Sequence, residues 1–142
     1  MKRIIALSLG LSLLIAGCDK KKTTSNNTTP SIDRRAKFIK TWTANYNCNS
    51  GTNANFQMVI EKDANDTMRF RITNFVPNSG TLVGILDANS DNIAIPNQAL
   101  PSSGNTTIGG SMNYSSNTST LSTNIQSSVS GGSSDFCYGS AF

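Results

Sequence analysis

Three cysteines, Cys18, Cys48 and Cys137, are the residues of this chain best suited to covalent chemistry, and the sequence contains no histidine. Without histidine, the chain lacks the Ser–His and Cys–His pairs that activate a nucleophile. A structural zinc site is also hard to build from two domain thiols and no imidazole. The cysteines therefore have two roles left to consider, as disulfide partners or as carriers of a covalent group.

The carboxylates do not indicate a catalytic site either. Two of them could hydrolyse a glycoside in principle, but the candidates fall in segments that we predict as turns, where aspartate is common for conformational reasons: Asp63, Asp66, Asp87, Asp91 and Asp135. Residues 87–91 have the alternating oxygens of a calcium loop, but they lack the glycine at position six and the glutamate at position twelve. We expect a hairpin turn there, and no enzyme activity, metal or cofactor.

The N-terminus has the pattern of an export signal. Lys2 and Arg3 precede an apolar run over residues 4–15. Twelve helical residues reach about 18 Å, which is short of the roughly 30 Å hydrocarbon core of a bilayer. The run is therefore predicted to be a signal-peptide core and not a membrane span.

The end of that run carries a family resemblance. Residues 15–18, Ile-Ala-Gly-Cys, resemble the lipobox of bacterial lipoproteins, in which the cysteine is acylated and the chain is cut just before it. The resemblance implies a signal peptide over residues 1–17 and a membrane anchor of acyl chains, such as palmitate, on Cys18. It also implies a place in the bacterial cell envelope, where the outer membrane is the favoured location and its face is left open. The inner membrane stays an alternative, because Asp19, directly after the cysteine, resembles the inner-membrane retention signal of some bacteria.

A polar tether follows the anchor. Residues 18–31 include Lys20, Lys21 and Lys22, many threonines and no aromatic residue, a composition that does not form a core. From residue 32 onward, seven basic residues face seven acidic ones, so the domain is neutral although the whole chain is formally +4. A neutral domain offers no electrostatic footprint for DNA or RNA, so no nucleic-acid partner is expected.

If Cys18 carries the acyl chains, two cysteines remain in the domain and can form one disulfide. In an oxidising compartment Cys48 and Cys137 can pair, closing a loop of about 90 residues. Two unpaired thiols are the alternative, and the disulfide is the favoured interpretation.

The domain over residues 32–142 is predicted to be all-β and monomeric. Period-2 alternation over residues 42–48, 56–61 and 68–72 indicates half-buried strands, preceded by a helical turn near residues 34–39. Further strands are predicted over residues 81–86, 92–95, 106–114, 119–129 and 135–142. Leu121, Ile125 and Val129 also fit a helix, but the Ser/Thr/Asn-rich filling favours a strand.

Seven to eight short strands without crossover helices predict an antiparallel meander. Closing it into a small barrel removes the exposed edges, and the disulfide would then tie the first strand to the last. A β-sandwich is the alternative architecture.

Residues 38–42, Phe-Ile-Lys-Thr-Trp, resemble the opening of lipocalin-like domains, with Lys40 in place of the usual glycine. The layout of the whole chain is similar to small bacterial lipoproteins of unknown function. The lipocalin-like resemblance implies a barrel and a small-ligand pocket, without a ligand identity. Our hypothesis is that a small apolar ligand binds between aromatic residues, for which the candidates are Trp42, Tyr46, Phe70 and Tyr114. The same aromatic residues could instead fill the core.

A second function remains open, that of an interaction protein that contacts an envelope partner through its loops. Residues 46–51, Tyr-Asn-Cys-Asn-Ser-Gly, resemble an early strand of membrane-bound lysozyme inhibitors. The later Ser-Gly and Tyr loop of that family has only Ser103-Gly104 as a counterpart here. The sequence therefore predicts a non-catalytic, lipid-anchored barrel that binds a small ligand or an envelope protein.

Overall fold

A computed structural model describes residues 33–142 of the chain. The predicted signal peptide, the predicted acylation site Cys18 and the predicted tether lie outside the described residues. Among the residues that the structure describes, no helix is long and apolar enough to cross a membrane.

Eight antiparallel strands make up the structure. In chain order they are β1 (Lys40–Cys48), β2 (Asn53–Lys62), β3 (Arg69–Thr73), β4 (Thr81–Leu86), β5 (Asn92–Leu100), β6 (Ser103–Ser115), β7 (Thr120–Val129) and β8 (Ser134–Ala141). Each strand pairs with the next, and β8 pairs with β1, so the sheet closes into a barrel. The predicted all-β barrel is thus confirmed, and the sandwich alternative is not the fold.

The alternation read from the sequence is the alternation of the barrel wall. In β1, Trp42, Ala44 and Tyr46 are buried, while their neighbours face outward. In β7, Leu121 and Ile125 point inward as residues of a strand and not of a helix. Every described strand contributes inward residues to one core inside the barrel. The larger fully buried members of this core are Phe38, Trp42, Tyr46, Met58, Ile60, Phe70, Ile72, Phe75, Leu82, Ile93, Ile108 and Met112.

One end of the barrel, which we call the closed end, is plugged. It carries the β2–β3, β4–β5 and β6–β7 connections and a short 3-10 helix, Ala36–Phe38, that leads into β1. Phe38 is fully buried and meets Phe70 and Tyr114 edge to face, with ring centroids 5.5 Å apart in both pairs. The Trp42 indole Nε1–H donates to the Phe38 carbonyl at 2.8 Å. These contacts fill the closed end with side chains.

Two arginines hold the helical turn onto the strand connections. Arg35 is only 8% exposed, and its guanidinium donates to the Asp66 carbonyl at 2.9 Å in the β2–β3 connection. Arg34 donates to the carbonyls of Ala88 and Ser90 in the β4–β5 connection. The plug is therefore tied to the barrel by hydrogen bonds as well as by packing.

Two aspartates add further polar contacts at the closed end. Asp33 contacts Arg35 at 3.2 Å and pairs with Lys62. The hydrogen bond from Lys62, with further help from Arg35, lowers the pKa of Asp33 from 3.8 to about 2. In the β4–β5 connection, Asp87 accepts backbone N–H groups from Asn89 and Ser90, as a turn residue does.

Strand β5 is longer than its predicted extent of residues 92–95. Pro96 has no N–H for a strand ladder, which is why the sequence indicated an end there. The strand instead continues to Leu100, with a register shift after Ile95. The Gln98 side chain accepts the Val83 N–H at 3.0 Å and donates to the Val83 carbonyl at 2.9 Å. This amide takes the place of a backbone partner beside the proline.

Candidate ligand site at the disulfide end of the barrel

The end opposite the plug contains a cavity. We call it the disulfide end, and it carries the connections over residues 49–52, 74–80, 101–102 and 130–133. The cavity has a volume of about 330 Å³ and a mainly apolar lining, formed by Tyr46, Cys48, Thr52, Ala54, Val76, Pro77, Leu100, Thr106, Ile108, Ile125, Ser127, Asp135 and Cys137. Ligand pockets in proteins typically measure about 300 to 1,000 Å³, so this one suits a small ligand.

The predicted disulfide forms one side of the cavity. Cys48 and Cys137 are a register pair of β1 and β8, the strands whose pairing closes the barrel, and their sulfurs are bonded. The prediction of a Cys48–Cys137 bond is confirmed. Asp135 lies close enough to both sulfurs for the three side chains to resemble a metal site. Because the sulfurs are used in the disulfide, they offer no thiolate to an ion.

The β3–β4 connection, residues 74–80, covers part of the cavity. Its Phe75 is fully buried and packs edge to face on Tyr46, with centroids 6.4 Å apart. That contact places Val76 and Pro77 in the cavity lining. Asn74 and Asn78 have φ values of 56° and 60°, a conformation that asparagine tolerates better than most residues. The two asparagines therefore allow the β3–β4 connection to turn sharply enough to fold over the cavity.

A set of hydrogen bonds to Asp135 connects two segments at the disulfide end. The Asp135 carboxylate accepts the Ser50 hydroxyl at 2.7 Å and the Ser50 N–H at 3.1 Å. It also accepts the N–H of Phe136 at 2.9 Å. These hydrogen bonds, above all that of the Ser50 hydroxyl, lower the pKa of Asp135. The charge is therefore engaged in holding the β1–β2 connection to β8.

The four aromatic residues predicted to bind a ligand do not come together at one site. Tyr46 lines the cavity. Trp42, Phe70 and Tyr114 lie in the closed half, where Trp42 and Tyr114 pack edge to face with centroids 6.4 Å apart. Burial raises the pKa of the Tyr46 phenol, which stays neutral in the physiological range. The structure thus joins one predicted ligand residue to the cavity and the other three to the core.

The residues that resemble loops of lysozyme inhibitors also lie at the disulfide end. Ser50 and Gly51 form the β1–β2 connection, and Ser103 begins β6 directly after the short β5–β6 connection. The Ser50 hydroxyl hydrogen-bonds Asp135 within the chain. Inhibition stays a prediction, and a lysozyme assay of the wild type and of Ser50→Ala tests it.

Most of the cavity lining was missed from the sequence. Ala54, Ile108 and Ile125 are inward residues of strands, yet nothing in their identities distinguishes them from core positions. Their common signal is position, because each lies on the half of its strand that faces the disulfide end. Once Cys48 and Cys137 mark that end, the strand order identifies which inward residues surround them.

Comparisons with known proteins identify the fold and nothing finer. No known family model matches the chain, and no curated protein matches it. Among solved structures, the chain is similar to a redesigned β-barrel, b11L5F_LGL, with 13% identity, a TM-score of 0.54, and coverage of 77% of this chain and 93% of that one. It is also similar to EF1p2_mFAP2b bound to DFHBI, with 14% identity, a TM-score of 0.55, and coverage of 78% and 98%. By these similarities the chain has the fold of a small closed β-barrel.

Proposed function

We propose that this protein is a lipid-anchored lipoprotein of the bacterial cell envelope that binds a small, uncharged, apolar ligand in the cavity at the disulfide end. The observation that carries the binding proposal is the cavity itself, an apolar space of about 330 Å³ that the side chains leave unfilled. A barrel of eight strands is just wide enough to hold one small ligand. The similar barrel EF1p2_mFAP2b is bound to DFHBI, which supports a ligand for this fold without identifying it.

The lining argues for an uncharged ligand. Asp135 is the charged residue of the lining, and three hydrogen bonds from Ser50 and Phe136 already satisfy its carboxylate. Desolvating a charged ligand beside apolar walls would cost several kcal/mol without a partner to offset it. Apolar ligands gain about 25 cal/mol for each Å² that they bury, so an apolar ligand suits these walls.

The anchor and the location rest on the sequence. The lipobox ending at Cys18 and the short apolar run before it support acylation and export. The Cys48–Cys137 bond supports an oxidising compartment, because disulfides are rare where thiols are kept reduced. Within the envelope we propose the outer membrane, and the cell fractionation below distinguishes it from the inner membrane.

Cavity filling tests the binding proposal. All ligand experiments use the chain from Asp19 onward, exported to the periplasm, which contains the whole barrel and its disulfide. We expect the wild type to enhance the fluorescence of N-phenyl-1-naphthylamine, a neutral apolar probe, or to carry a co-purified ligand in native mass spectra. Ala54→Phe places a ring in the cavity and should abolish both signals.

Ala94→Phe is the matched control, because Ala94 is exposed on β5. This variant should bind as the wild type does. A wild type that binds neither probe nor native ligand, or an Ala54→Phe variant that binds like the wild type, would contradict the cavity proposal.

The anchor is tested separately with the full chain. Cells fed radiolabelled palmitate should label the wild type and the Cys48→Ser variant but not Cys18→Ser, and the labelled protein should fractionate with the outer membrane. Label on Cys18→Ser, or no label on the wild type, would refute the anchor and leave the cavity proposal standing.

A further inference from the structure

We propose that the outer face of strands β7, β8 and β1 is a binding surface for an uncharged glycan, separate from the cavity inside the barrel. We call it the aromatic face, and it is defined by Phe136, Tyr138 and Phe142 with the flanking amides Asn45, Asn47, Asn124 and Gln126.

The first observation is a row of exposed aromatic rings. Phe136, Tyr138 and Phe142 are 39%, 55% and 56% exposed, whereas the other aromatic side chains of the sequence are buried or partly buried. All three occupy alternate, outward positions of β8 and its extension, because Phe142 exchanges backbone hydrogen bonds with Thr43 at 3.0 and 3.1 Å. At about 3.3 Å per residue, the rings follow one another at intervals of about 7 and 13 Å. An exposed row of this kind is unusual on a small soluble domain and points to a ligand.

The second observation is the side chains beside the row. Tyr138 lies between Asn47 of β1 and Asn124 of β7, and Phe136 lies opposite Gln126. Asn45 is opposite Ser140, the residue between the second and third rings. No hydrogen bond within the described part of the chain engages the side chains of the four flanking amides. Each amide therefore has two donor hydrogens and a carbonyl oxygen available to a ligand.

The third observation is the absence of charge. From Asn92 to Phe142 the sequence has a single charged residue, Asp135, whose carboxylate is held by Ser50. Other charged residues of the described chain lie in β1 to β3, the closed-end connections and the segment before β1. The one in β1, Lys40, begins the strand at the closed end, and its ammonium lies 3.8 Å from the centroid of the inward Trp42 ring, away from the aromatic face. A nucleic acid, an anionic lipid or a charged peptide would meet no opposite charge on the aromatic face.

These features together match a chain of neutral sugars. A pyranose ring presents a C–H face, which packs on an aromatic ring, and an edge of hydroxyl groups, which exchange hydrogen bonds with amides. The three rings in line, with amides on both sides, offer that combination repeatedly along one direction. A protein partner fits less well, because the rings are separated by polar residues and the face lacks the arginines that are common at protein interfaces.

The test is an NMR titration of the same exported chain. The probes are chitohexaose and maltohexaose, which are neutral, and hexagalacturonate, which is charged. We expect at least one neutral hexasaccharide to shift the amide resonances of β7, β8 and β1. Tyr138→Ser should raise its Kd about tenfold, since it removes both the buried area and the stacking of the central ring. Asn124→Ala should weaken binding in the same direction.

Val129→Ser is the control, because Val129 is an exposed apolar residue, 49% accessible, that lies at the end of β7 in the inward series of Leu121 and Ile125 and therefore not on the aromatic face. It should bind as the wild type does, and an intact disulfide mass and an unchanged unfolding curve establish that each variant is folded. The proposal is overturned if neither neutral probe shifts these resonances at millimolar concentration, if Tyr138→Ser binds unchanged, or if the charged hexamer binds as tightly. Sedimentation is run in parallel, and self-association that Tyr138→Ser removes would show that the face is instead an interface between copies.

Discussion

Removing the disulfide offers a quantitative test of how the barrel is held closed. The double variant Cys48→Ala/Cys137→Ala breaks the covalent link between β1 and β8 and leaves their hydrogen bonds in place. The two cysteines are 89 residues apart, and the chain-entropy relation then gives about 4 to 5 kcal/mol at 25 °C. Domains of this size are stable by only about 5 to 15 kcal/mol, so a large share of the total depends on this bond.

The assay is equilibrium urea unfolding of the exported chain, oxidised, reduced, and as the double variant. We expect the free energy of unfolding to fall by about 4 kcal/mol in both the reduced protein and the variant. Thr73→Ala/Thr81→Ala is the control, since it removes a pair whose hydroxyls lie 3.0 Å apart across β3 and β4. That loss should be below about 1 kcal/mol.

Two results would refute this reasoning. A loss below about 1 kcal/mol in the Cys48→Ala/Cys137→Ala variant would mean that the link does not restrict the unfolded chain as the entropy relation requires. Reactive thiols in the oxidised, folded wild type would mean that the bond does not form in the exported protein.

Two further predictions concern the closed end and the core. Asp33 has a pKa of about 2 in the folded chain against 3.8, so its ionised form stabilises the fold above about pH 4, and that contribution is lost as the pH falls through 2. Acid titration followed by circular dichroism should show a smaller loss of stability over this interval in Asp33→Asn than in the wild type; equal losses would contradict it. A Cβ at Gly139 would lie 2.1 Å from the Tyr46 ring and 2.2 Å from the Asn45 carbonyl oxygen. Gly139→Ala should therefore cost at least about 2 kcal/mol in urea unfolding, whereas Gly104→Ala, with nothing within 4 Å, should change stability by less than about 0.5 kcal/mol.

The strands were predictable because each one has a buried side and a solvated side. Alternation at Trp42, Ala44 and Tyr46 gave β1, and the poor helix propensity of the residues around Ile125 correctly favoured a strand. The end of β5 was not predictable from local sequence. The strand continues past Pro96 because the Gln98 side chain hydrogen-bonds the backbone of Val83, which is fifteen residues earlier in the chain.

The cavity depends on information that no single strand contains. Large aromatic residues such as Trp42, Phe70 and Tyr114 were reasonable candidates for a pocket, but the strand register places them around Phe38 in the closed half. The unfilled volume at the other end depends on the summed size of inward residues from several strands. That sum requires the order and offset of all strands, which sequence periodicity alone does not supply.

The side-chain amide that links β4 to β5 has a consequence for motion. Backbone pairing between these strands covers only Ile85 with Ala94 and Leu86 with Ile93, and beyond it Gln98 bridges to Val83. A side-chain bridge is lost by a single rotation, whereas a strand ladder opens only when several residues move together. We therefore expect β4 and β5 to separate transiently more often than any other pair of neighbouring strands in the barrel. Their amide protons would then exchange with solvent while the strands around the disulfide stay protected.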